Sequence, residues 1–130
     1  MITYEDIKKD AEVSIFIDTA EKQLLEIGYT EHGLRHVGVV ATTAAHILKE
    51  LGYSERECEL AKIAGHLHDI GNAINRVDHA HTGAYMAYQL LKERGMDLKE
   101  AAEIMMAIRK SWWEYRKSRE CYLCSVDSSR

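Results

Sequence analysis

Gly65-His66-Leu67-His68-Asp69-Ile70-Gly71 is the stretch that decides how this chain reads. Before it, Leu60, Ile63, Ala64 and Leu67 recur at the spacing of an amphipathic helix; after it, Gly71-Asn72 opens a polar loop. An imidazole and a carboxylate therefore stand side by side where a helix runs out. In mid-helix, neighbouring side chains point about 100° apart, but at a helix end the backbone can turn both toward one point. A ring nitrogen beside a carboxylate oxygen is a mixed ligand pair suited to a divalent metal: Mn, Fe, Mg, Co or Zn. An Asp at a helix C-terminus also opposes the helix dipole, and a cation there would offset that cost. The plain alternative stays open: Asp69 makes an Asx-type turn into Gly71, with His68 packed beside it.

Outward from this point the pattern is helical throughout. Thr3 with Asp6 reads as a capping box, and Ile7, Val13, Ile17, Leu24 and Leu25 carry one predicted helix to Ile27, stopped by Gly28. A second helix is predicted from Gly33 through Val37, Val40, Ala44 and Ile47 to Leu51, stopped by Gly52. Ser54 with Glu57 opens the third, which ends at the His-Asp pair. A fourth spans His79 to Arg94 with Gly95 as its stop, and Asp97 with Glu100 caps a fifth from Ala101 to at least Ile108. Nothing alternates with period two for long enough to suggest a sheet. The expected class is all-α, a bundle of five or more helices with short connections.

Other histidines gather around the pair in sequence. His32 and His36 lie four apart near the start of the second helix and so share a face. His36 alone would read as an ordinary polar residue; beside His68-Asp69 it reads as a ligand. His66 falls on a different face from His68 and reads as packed. His79 and His81 open the fourth helix, where unpaired N–H groups suit an anion or a metal; the alternative is that Asp78 or His79 simply caps it. Arg76 and Asn72 in the preceding loop add donors compatible with phosphate. His46 reads as structural.

Composition narrows the function classes. At 130 residues one domain is expected, and with 46% hydrophobic residues and no proline, long helices and a real core are allowed. A net charge of −4 disfavours a sequence-independent grip on nucleic acid. No apolar run is of membrane-spanning length and the N-terminus is acidic, so a soluble, cytoplasmic protein is expected. Three cysteines make no disulfide framework in that setting, and Cys121-Tyr122-Leu123-Cys124 lacks the second pair that a zinc site needs.

The texture changes at residue 109. Residues 109–130 hold both tryptophans, five serines and no histidine, with six basic residues against three acidic ones; residues 1–108 have eleven against eighteen. The division expected is therefore a helical domain over 1–108 and an atypical tail over 109–130.

His36, then His68-Asp69-Ile70-Gly71, then His79 leading into Gly83-Ala84, resembles the HD-domain superfamily of metal-dependent phosphohydrolases, over about residues 28–108. The resemblance implies a helical bundle holding one or two divalent metals. It implies His36, His68 and Asp69 as metal ligands, and His79 as the histidine that joins a second metal or the substrate phosphate. It implies hydrolysis of a small phosphorylated substrate, whether phosphomonoester, nucleotide or cyclic nucleotide, by a metal-activated water that Asp69 orients or deprotonates. His79, Arg76 and His32 would hold the phosphate. The family's further ligand is an aspartate on a later helix, reached through an Asn-His element and an Ala-Asp pair. Neither follows Ile108; Asp127 is the one aspartate left. A codon string compatible with residues 109–130, shifted by one base, reads Gly-Asn-His-Gly-Gly-Ser-Thr-Gly and continues into an apolar run ending in Ala-Asp. On that reading the tail is a frameshift product. The alternative function is a non-catalytic, HD-like nucleotide- or metal-binding module without the distal carboxylate; a weaker one is a helical scaffold for a partner. Loss of the last helix would leave apolar surface uncovered, so a homodimer is expected.

Overall fold

The computed structural model of the chain describes residues 1–29 and 33–110. Among them are six α-helices and one 3-10 turn, with no strand: α1 (Tyr4–Lys9), α2 (Ala11–Glu26), α3 (Leu34–Glu50), α4 (Glu55–Leu67), the turn Ile70–Ala73, α5 (His79–Glu93) and α6 (Leu98–Arg109). His32, both cysteines of the C-x-x-C motif, Asp127 and the frameshift reading of the tail fall outside the described residues.

The starts follow their caps. The backbone N–H of Asp6 donates to Thr3 Oγ1, that of Glu57 to Ser54 Oγ, and that of Glu100 to Asp97 Oδ2; each satisfies a donor that the first helical turn leaves unpaired. Three helices end on Gly28, Gly52 and Gly95, all at positive φ, where a side chain would be strained.

The first expected helix is in fact two. Asp10 is extended (φ −68°, ψ 124°), closes α1 and caps α2 by accepting from the Val13 N–H. Its carboxylate also takes two donors from Arg94, at the far end of α5. An Asp that accepts from the backbone and from a distant guanidinium has more to gain at a cap than inside a continuous helix.

The core is contiguous. Ile7, Val13, Ile17, Val37, Leu48, Ile63, Leu67, Ile70, Leu91 and Ile104 are each 2% exposed or less. Each such side chain is worth about 1.5–3 kcal/mol of burial. α3 lies along α4, α5 along α6, and α2 against the 3-10 turn. The α3–α4 seam is tight at Gly65, where a Cβ would sit 3.0 Å from Ala41 Cα. Ion pairs tie distant helices: Arg94 at the end of α5 to Asp10 and Glu12 at the start of α2, and Arg56 on α4 to Glu100 on α6, with Glu59 beside it.

Candidate metal centre

α4 stops at Leu67, and His68 keeps helical dihedrals (φ −62°, ψ −28°) as its C-cap. Asp69 departs to φ −105°, ψ 5° and starts the 3-10 turn. This change of direction at the helix end puts the two side chains together. His36, in the first turn of α3, reaches the same place across the α3–α4 seam. One ligand atom from each of His36, His68 and Asp69 lies within 4.8 Å of the others. The His36 and His68 rings are 6.0 Å apart at 52°.

Hydrogen bonds fix which nitrogen each ring offers. His68 Nδ1 is 2.6 Å from the Gly65 carbonyl oxygen. A carbonyl only accepts, so Nδ1 carries the proton, and Nε2 of the neutral ring is an acceptor. Nε2 stands 3.2 Å from Asp69 Oδ2, an approach of two lone-pair bearers that a cation between them, or a proton, makes favourable. His79 repeats the device: Nδ1 donates to the Arg76 carbonyl at 3.1 Å, and Nε2 lies 3.8 Å from Asp69 Oδ1. Asp69 thus spans two imidazoles, one oxygen toward each. A ring whose far nitrogen is locked by a backbone carbonyl is how metal-bound histidines are commonly oriented. In donor type and spacing, the residues fit a divalent metal.

α5 comes close enough for this because of Gly71. A Cβ at Gly71 would collide with the His79 carbonyl oxygen and fall 2.7 Å from Gly83 N. The Ile70-Gly71 signal therefore does more than stop a helix: it lets the start of α5 lie on the 3-10 turn.

Asn72 and Arg76 have a different immediate setting from the one the sequence suggested. Asn72 is 1% exposed; its Nδ2 donates to the Asp69 carbonyl and its Oδ1 accepts from Arg76 Nη1 at 3.2 Å. The Arg76 guanidinium also lies over the Tyr29 ring, 4.7 Å from its centroid. Asn72 is a brace between the backbone of Asp69 and the side chain of Arg76. Sequence reasoning missed this brace, the Tyr29 platform and the Gly65 carbonyl.

The remaining histidines among the described residues stand apart. His81 is exposed and pairs with Asp78, which caps α5 by position (φ 61°) without a side-chain cap bond. His46 is exposed, 3.8 Å from Glu50. His66 is 2% exposed against the edge of Tyr4, and burial pushes its ring down to about 4.

The family model for the HD domain matches residues 33–128, and the chain belongs to that family. It is similar to an uncharacterized protein of Methanocaldococcus jannaschii, 27% identical over 104 residues, covering 68% of this chain and 40% of that one. Its fold is similar to a crystal structure of a predicted HD superfamily hydrolase from an uncultured Thermotogales bacterium, with a TM-score of 0.62 and 27% identity, over 88% of this chain and 65% of that one. The chain thus spans less than two thirds of the length of either.

Proposed function

We propose that this chain hydrolyses a phosphomonoester, nucleotide or cyclic nucleotide, with a divalent cation held by His36, His68 and Asp69. The observation that carries the reading is the convergence of two imidazoles and one carboxylate, from α3 and from the end of α4, within 4.8 Å. A cation held there would supply a more acidic water and polarise a phosphoryl oxygen. Asp69 would orient the attacking water, or take its proton, through its second carboxylate oxygen. His79 stands on the other side of Asp69, at the first turn of α5, where it can meet a substrate oxygen. Arg76, held by Asn72 and Tyr29, offers its other N–H donors to the phosphate.

The second reading, a binding module without turnover, is favoured by one specific observation. Among the described residues the cluster has three donors, whereas the family resemblance calls for a further aspartate. Elemental analysis of the purified chain, followed by a Mn-supplemented aryl phosphate assay, separates the two. The hydrolase reading expects bound metal and turnover that both fall in Asp69→Asn; metal without turnover establishes the module, and neither leaves only a scaffold.

A further inference from the structure

His66 has no part in the metal centre, yet it is the one buried side chain whose polar atoms lack a partner among the described residues: neither Nδ1 nor Nε2 makes a hydrogen bond. An unsatisfied buried polar atom costs about 1–3 kcal/mol, so such a group points to something that completes it. His66 forms part of the wall of a cavity of about 630 Å³ between α1 and the outer face of α3. The other walls are Lys8, Arg35, Thr42 and Thr43, with Tyr4, the small Gly38 and the apolar Leu34 and Val39 beside them. Two cations, three hydroxyl-bearing side chains and an imidazole line the space, and no carboxylate does.

We propose that this cavity binds a phosphate group, borne on a small molecule, at a site separate from the metal centre. Lys8 and Arg35 are exposed at the mouth and bring the positive charge; Arg35 can grip two oxygens at once. Thr42 and Thr43 are hydroxyl donors on consecutive residues of α3. His66 closes the inner wall with both ring nitrogens sealed from solvent; when a phosphate oxygen enters and the side chains over the ring shift, one ring N–H gains the acceptor it lacks. The volume exceeds that of phosphate alone and lies in the range of small-molecule sites, so the anion is one end of a larger ligand. The inference does not depend on any metal, and it stands or falls apart from the hydrolase reading.

The test is a phosphate titration at constant pH of the full chain in EDTA, followed by long-range proton–nitrogen correlation of the histidine rings. The expected result is a saturable shift of the His66 ring nitrogens, weakened about tenfold or more in Arg35→Gln and again in Lys8→Gln. Both are exposed side chains, so far-UV dichroism of these variants should match the parent; His66→Phe should abolish the saturable response of the Thr42 and Thr43 amides. Phosphate that moves only the rings of His68 or His79 overturns the proposal. So does the absence of a saturable His66 shift, or one indifferent to Arg35 and Lys8, which places phosphate outside this cavity.

Discussion

At the scale of single residues, the candidate centre is held by bonds that point away from it. His68 is aimed by the Gly65 carbonyl and His79 by the Arg76 carbonyl. Replacing His68 by Gln should therefore keep the fold but lose the fixed donor, and bound Mn measured by elemental analysis should drop by about tenfold or more. Asn72→Ala acts differently. It strips the partner from the Asp69 carbonyl and from Arg76 Nη1 in a buried place, at a cost of about 1–3 kcal/mol. Thermal unfolding should register that loss, and kcat for an aryl phosphate should fall with it because Asp69 and Arg76 are no longer braced. A fall in Tm with kcat untouched would make Asn72 structural alone. Of these residues, the sequence made His36, His68 and Asp69 readable, because ligand types at a helix end carry a chemical signature. It could not show Asn72 as a brace, since an asparagine in a loop looks the same whether its amide faces solvent or a carbonyl.

Helices were readable where their ends are written locally, at Thr3–Asp6, Ser54–Glu57 and Asp97–Glu100 and at the three stop glycines. The break between α1 and α2 was not, because part of what holds Asp10 in its cap is Arg94, 84 residues along the chain. That pairing makes an acid-sensitive joint. Arg94 first, and the Val13 N–H besides, hold the Asp10 carboxyl below the usual carboxylate range. A carboxyl whose pKa is lower folded than unfolded adds stability above the unfolded value near 4 and loses it as pH falls through the folded one. Urea midpoints should thus decline below about pH 4, and Asp10→Asn should be less stable at neutral pH with a shallower acid decline. Gly71 sets the other joint. Gly71→Ala forces a methyl group against the His79 carbonyl, so α5 must move off the 3-10 turn. Unfolding free energy and Mn binding should then drop together, whereas the same change at Gly38, where nothing lies within 4 Å, should leave both in place.

For the molecule as a whole, the open question is what completes the ligand set. Two imidazoles and one carboxylate leave a divalent cation with coordination positions still to fill. The family match extends to residue 128 and so takes in Asp127, the one aspartate after α6. If the tail over 109–130 is a frameshift product, the gene read one base on must encode the Asn-His element and the apolar run ending in Ala-Asp. Sequencing across codon 109 decides this, and a gene with no such second frame removes the idea. If the frame is there, the corrected chain has a definite expected behaviour. An added carboxylate raises both the charge and the count of the ligand set, so Mn should bind about tenfold or more tightly by calorimetry. The restored apolar run should also pack on the preceding helices. Light scattering then has a paired outcome: self-association of the chain as given, through apolar positions such as Val39, 57% exposed on α3, and a monomer once the frame is corrected. A monodisperse monomer of the present chain would mean that its apolar surface needs no partner, and the homodimer would be dropped while the metal centre is judged on its own test.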